Sequence, residues 1–205
     1  MLRLSDNQPA WPFGRLVPFG YDVIVADPPW TFDLYSEKGW EKAPQSQYEC
    51  MPLPLIKALP VGHLARGDAL LLLWTCGWAM ATGQAHDVAR AWGAAPITEL
   101  VWRKTTKNGK VRMGPGYRAR TMHEPVLLCT WGKPVHKAFP SIFDGVARAH
   151  SMKPDEFYDL TVRMTPRALA RADLFSAGID RPGFDGWGED HRKEREVEGK
   201  REKVR

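Results

Sequence analysis

Residues 27 to 30 read Asp-Pro-Pro-Trp and follow directly on an apolar run, Tyr21 to Ala26. Pro28 and Pro29 remove two backbone donors and fix two φ angles, so the carbonyls there are expected to be stiffly aimed and left unpaired by a ladder. An ionised carboxylate only accepts hydrogen bonds. Asp27 beside a rigid carbonyl therefore makes a two-pronged acceptor, which suits a planar amino group. Trp30 offers a flat apolar face for a ring to stack on. The stretch describes a pocket for an aromatic amine. The alternative is a strand-ending turn carrying a surface aromatic, since Asp-Pro opens many turns.

A second group of candidates is electrostatic. The formal net charge is +5, but His191 to Arg205 holds seven Lys/Arg against four Glu, a net +3 that leaves +2 for the rest. Between Arg103 and Arg120 stand seven basic residues and no acid. Such a run suits contact with a polyanion such as nucleic acid; the alternative is a solvated loop. The three cysteines (Cys50, Cys76, Cys129) are odd in number and far apart, and the six histidines lack metal spacing, so neither a disulfide framework nor a metal site is expected. A reducing, cytoplasmic compartment is the matching expectation. No apolar run approaches the roughly 20 residues of a membrane span, and the proline-broken N-terminus does not read as a signal peptide.

These groups need a scaffold. Tyr21 to Ala26 reads as a strand buried on both faces. Residues 31–47 are polar and turn-rich, and 51–64 predict a short helix. Strands are expected at 68–74, 97–102, 125–131 and 172–176, with a further one at SIFDGV (141–146). Ala81, Ala85, Val88 and Trp92 share helical spacing over 77–92, and Phe157, Leu160 and Met164 share one face of a helix that Pro154 opens. GFDGWGED (183–190) predicts a closing turn, and the charged tail after it predicts disorder or a solvated helix. Strands alternating with helices imply one α/β domain over 1–190, with a mainly parallel sheet and helices on both faces. In such sheets, ligands gather at the carboxyl ends of strands, where Asp27 stands.

DPPW after an apolar strand resembles the catalytic motif of adenine-N6 methyltransferases, and in particular the MT-A family that includes the catalytic subunit of the eukaryotic mRNA adenosine methyltransferase. The likeness runs from about Tyr21 to Asp190. It also rests on LLLLWTCGWAMATG, on ITELVWRKT with GYRARTMHEPVLLCTWGKP, on HSMKPDEFYDLTVRMTP, and on DLFSA with GWGED. The resemblance implies a Rossmann-like, S-adenosylmethionine-dependent fold. It makes Asp27, Pro28, Pro29 and Trp30 the catalytic motif and Tyr48 a clamp on the adenine ring. Lys153 falls where the family binds the methionine carboxylate, with a plain surface lysine as the alternative. Asp173, Phe175 and Ser176 would line the cofactor. Gly188, Glu189 and Asp190 would meet its ribose hydroxyls, although Glu189 stands where the family usually has Asn, and Ala177 where several relatives carry Arg.

Arg103, Lys104, Arg118 and Arg120 are then expected to track a phosphate backbone, without naming a target sequence. Glu124 falls where relatives have an acid near the site, with pairing to a nearby Arg as the alternative. His123, His150, Trp78, Trp92, Trp102 and Trp131 read as structural. The resemblance is to bacterial and phage members, which implies DNA as substrate, its adenine flipped into the pocket. RNA and a non-catalytic binding subunit are the rival readings. An amide methyltransferase is disfavoured by Asp27, since that motif opens with Asn.

Overall fold

The computed structural model describes residues 11–31, 50–114, 116, 118–148, 152–176 and 181–188. Seven strands form one sheet in the order β5-β3-β4-β2-β1-β6-β7. They are β1 (Tyr21–Ala26), β2 (Ala65–Trp74), β3 (Ala95–Thr105), β4 (His123–Trp131), β5 (Ile142–Val146), β6 (Arg171–Leu174) and β7 (Asp185–Trp187). β1 pairs in parallel with β2 and β6, β6 with β7, and β3 with β5. β4 alone runs against its neighbours β2 and β3. The expected mainly parallel sheet is thus observed with one reversed strand. That reversal brings the start of β4, His123 and Glu124, to the edge where the other strands end.

Both faces of the sheet are buried. Ile24, Ala26, Leu71, Leu73, Leu127, Cys129, Ala172 and Leu174 face a core shared with α1 (Leu53–Ala58), α2 (Gly77–Ala81) and α3 (Gln84–Ala91). Val23, Val25, Leu70, Leu72, Trp74, Leu100 and Val126 face the opposite core with Phe157 and Tyr158 of α4 (Asp155–Met164). Alternate residues of one strand serve alternate cores because side chains alternate across a pleat. This is why residues 23–26 of β1 and 69–74 of β2 read as unbroken apolar runs. Helices therefore cover both faces, as the strand spacing implied.

Two local expectations are corrected. The helix foreseen over 77–92 is two helices, because Gly83 takes a left-handed conformation (φ 79°) between them. The Thr82 hydroxyl donates to the Trp78 carbonyl in the last turn of α2. The kink leaves Ala81 exposed, whereas Ala85, Val88 and Trp92 are buried as foreseen. The closing turn at 183–190 contains a strand, β7, whose Trp187 is 2% exposed and donates from its indole to Pro12. A short, glycine-flanked segment conceals its strand until β6 offers it a ladder. Trp102 and Trp92 are buried, and Trp78 and Trp131 are half-buried.

Candidate active site at the carboxyl ends of the strands

Asp27 follows β1 at once, and its amide donates to the Leu174 carbonyl at the end of β6 (3.2 Å). The two prolines stop the ladder there, as expected, but their carbonyls are not left unpaired. Trp30 N donates to Pro28 O (2.8 Å) and Met51 N to Pro29 O (3.0 Å). With no proline amides available, the turn saturates itself on the next free N–H groups. A carbonyl has two lone pairs, so Pro28 keeps one for a further donor. Trp30 is no surface aromatic either. It is 8% exposed, and its indole donates to the Trp74 carbonyl at the end of β2 (3.1 Å). That bond ties the motif to β2. Residues 50 and 51 return beside the motif, but Tyr48 itself lies outside the described residues.

Next to Asp27 runs a chain of alternating charges. Lys153 Nζ lies 2.9 Å from Asp27 Oδ2 and 3.2 Å from Glu124 Oε2, and Glu124 Oε1 takes a further bond from Lys104 Nζ at 2.5 Å. Lys153 also lies 5.0 Å above the Trp74 ring, a favourable cation–π position. The lysine foreseen as a cofactor ligand is thus also the counter-ion of Asp27. Burial pushes the Asp27 carboxyl up, the Lys153 ammonium pulls it back, and Glu124 adds to the rise. For Glu124, burial acts upward, but Lys153 and Lys104 together hold the carboxyl below its usual range. Burial alone would lower Lys153, yet two carboxylates raise it instead. The partner of Glu124 is a pair of lysines, not the arginine weighed in its alternative reading.

On the other side of Asp27, β6 carries Asp173 one residue before its end, 3% exposed. Tyr158 donates its hydroxyl to Asp173 Oδ2 (3.0 Å), and the Arg181 guanidinium stacks 3.7 Å from the Tyr158 ring centre. Arg181 Nε lies 3.6 Å from Asp173, and its Nη1 donates to Asp155 at 2.9 Å. Sequence reading missed Arg181 and Tyr158. The one available signal was that an acid near the end of a buried strand needs a nearby cation. Phe175 follows in a left-handed conformation (φ 64°), its ring 5.2 Å from that of Trp187. Non-glycine residues adopt this region under constraint, often at functional sites. Ser176 N donates to Trp187 O (3.1 Å), which seats Gly188 beside the end of β6. Ala177, Glu189, Asp190 and His150 lie outside the described residues.

The basic run divides. Arg103 is held by both oxygens of Asp144 on β5 (2.6 and 2.5 Å), and Lys104 by Glu124. These two serve ion pairs within the fold, so neither is the free phosphate contact foreseen. The reason is register: β3 places Arg103 beside Asp144 and one pair away from Glu124. Beyond them the chain forms an exposed arm. Thr106 N donates to Lys110 O, Arg112 N to Lys104 O and Gly114 N to Thr121 O. Lys107, Lys110, Arg112, Arg118 and Arg120 are exposed there, and none of the five has an ion pair among the described residues. His123 is exposed at the start of β4.

The donor set fits the amino-acid end of S-adenosylmethionine. Lys153 has three N–H donors, of which Asp27 and Glu124 engage two, and the third can meet a carboxylate. Asp173 can meet an ammonium. Thr75, directly after β2, holds a buried hydroxyl without a hydrogen-bond partner among the described residues, a group that buried sites normally satisfy. Among the described residues, no cluster of potential metal ligands occurs, and no helix is long and apolar enough to cross a membrane.

Comparison with known proteins agrees with this arrangement. The chain is 28% identical over 160 residues to an MT-A70-like N(6)-adenosine-methyltransferase of Drosophila melanogaster, covering 76% of this chain and 24% of that protein. It is 27% identical over 162 residues to the human N(6)-adenosine-methyltransferase catalytic subunit METTL3, covering 76% and 25%. The N6-methyladenosine RNA methyltransferase MTA1 of Pyricularia oryzae is 26% identical over 180 residues, covering 83% and 46%. The chain thus spans a quarter to a half of the length of these relatives. The MT-A70 family model matches residues 21–190, the stretch that carries the strand ends, Asp27, Glu124, Lys153 and Asp173, and the chain belongs to the MT-A70 family, whose methyltransferases use S-adenosylmethionine.

Proposed function

We propose that this chain transfers a methyl group from S-adenosylmethionine to N6 of adenine in nucleic acid, with DNA as the acceptor polymer. The observation that carries the reading is the place of Asp27: it follows the interior strand β1, between Lys153 and the end of β6. The cofactor, when bound, supplies an electrophilic sulfonium methyl. The protein supplies orientation and charge. N6 of adenine is a weak nucleophile because its lone pair is delocalised into the ring. Asp27 and the free lone pair of Pro28 O accept its two N–H bonds, drawing the nitrogen toward tetrahedral geometry and turning its lone pair to the methyl. As the N6–carbon bond replaces the sulfur–methyl bond, leaving a neutral thioether, the proton that N6 sheds passes to the Asp27 carboxylate and on to solvent. Burial raises the proton affinity of Asp27, which strengthens it as an acceptor. Lys153 and Glu124 fix its side chain, and no covalent intermediate is required. A target inside a duplex is first flipped out.

The site chemistry is common to both polymers, since N6 is the same atom in each. The exposed cations of the arm, next to the site, favour a long phosphate backbone, and most of all the dense charge of a DNA duplex. The names of the relatives favour RNA as the second reading. One assay separates them. Purified protein is incubated with labelled S-adenosylmethionine and DNA or RNA of matched sequence, and the methylated nucleoside is identified. N6-methyldeoxyadenosine is expected, and label confined to RNA overturns the choice of polymer. Asp27→Ala is expected to abolish transfer while cofactor binding, read by calorimetry, persists. Normal transfer by that variant would falsify the mechanism.

A further inference from the structure

We propose that Met113 and Met122 form an apolar wedge on the basic arm, which props open a DNA duplex while the target adenine is held outside the stack. This rests on the adenine-methyltransferase reading above and adds the physical form of the substrate. The first observation is exposure. Met113 is 57% exposed, Met122 37% and Val111 41%. These apolar side chains stand among Lys107, Lys110, Arg112, Arg118 and Arg120, cations without an ion pair among the described residues. Three exposed apolar side chains interleaved with five cations make a mixed surface on this arm, and the charge around them selects a polyanion.

The second observation is placement. Trp102 pairs with Glu124 across β3 and β4, Arg103 pairs with His123, and Lys104 N donates to Met122 O. Side chains two apart on a strand share a face, so Met122 is the next neighbour outward from Glu124 on the face of the charge chain. Arg120 Nε contacts Met113 Sδ at 3.4 Å, joining the two legs of the arm. The methionines therefore stand on the arm that leaves the reacting end of the sheet, interleaved with its cations. A base drawn to Asp27 leaves a gap in its stack, and minor-groove proteins fill such gaps with apolar side chains, methionine among them. The unbranched, polarizable thioether adapts to an irregular base surface. The cations hold the flanking phosphates. A single strand presents its adenine already unstacked and needs no wedge.

The test uses the full chain, labelled S-adenosylmethionine, a long single-stranded circular DNA and the same sequence as a double-stranded circle. Met113→Ala combined with Met122→Ala is expected to lower the duplex-to-single-strand rate ratio about tenfold. Met122→Leu keeps the wild-type ratio, because leucine still fills the gap. The melting temperature of each variant is measured alongside. An unchanged ratio, or equal loss on both DNA forms, overturns the wedge. So does a wild-type chain that methylates single strands or RNA but not duplex, an outcome that leaves the methyltransferase reading intact. Failure on every polymer sinks that reading, and the wedge with it.

Discussion

Asp173 is surrounded by Tyr158 and Lys153 on the α4 side, by Arg181 and by Asp27. Burial pushes its carboxyl up to about 7, against the opposing pull of the Tyr158 hydroxyl and Arg181, while Asp27 adds to the rise. An unfolded aspartate titrates near ~3.9. Between those values the folded chain holds a proton that the unfolded chain has released. Stability from this group is therefore complete below about pH 4 and is lost as pH rises through about 7. Asp173→Asn keeps the acceptor for Tyr158 and removes the titration. Its melting temperature relative to wild type is expected to climb between about pH 5 and about pH 8. A difference that stays constant across that range contradicts the assignment.

At the scale of elements, β5 decides where Lys153 enters the site. The Trp102 indole donates to Gly145 O (2.9 Å), and a Cβ at Gly145 would meet Pro154 Cβ and Trp102 Nε1, each at 2.7 Å. Neither a proline ring nor a buried tryptophan yields cheaply. Pro154 opens α4, and Lys153 is the residue before it, so this close approach seats the lysine against the sheet. Gly145→Ala is expected to cost about 1–3 kcal/mol of stability by overpacking and to lower the methyl-transfer rate by shifting Lys153. Denaturant titration beside the rate assay checks both. Wild-type values for each would mean that the contact yields freely and that β5 does not position the site.

At the scale of the whole molecule, charge is sorted by the sheet. Cations at the end of β3 serve internal carboxylates, and those on the arm face outward. Binding to nucleic acid should weaken with salt in proportion to the phosphates neutralised, at a log–log slope of about 0.9 per contact on duplex DNA. Replacing Arg118 and Arg120 together by Gln is expected to reduce that slope by about two units. Arg103→Gln should leave it nearly unchanged, because Asp144 already holds its guanidinium by two hydrogen bonds. Filter binding over a range of salt reads both. Equal effects from the two variants would place Arg103 on the backbone after all.

Much of this was legible in the residues. The unbroken apolar runs at 23–26 in β1 and 69–74 in β2 announced strands covered on both faces, since only burial of both pleats favours such runs. DPPW marked the strand end because proline cannot continue a ladder. What periodicity could not supply is anything depending on which distant residues become neighbours. That β4 runs backwards, and so brings Glu124 to the carboxyl edge, follows from pairing with β2 and β3, which leaves no mark on its local pattern. The same holds for the pairing of Lys153 with Asp27, the withdrawal of Arg103 and Lys104 into ion pairs, and the meeting of Arg181 with Asp173. Residue types set the available chemistry through local bonding rules. Long-range register decided which charges meet, because electrostatic partners are chosen by distance in space.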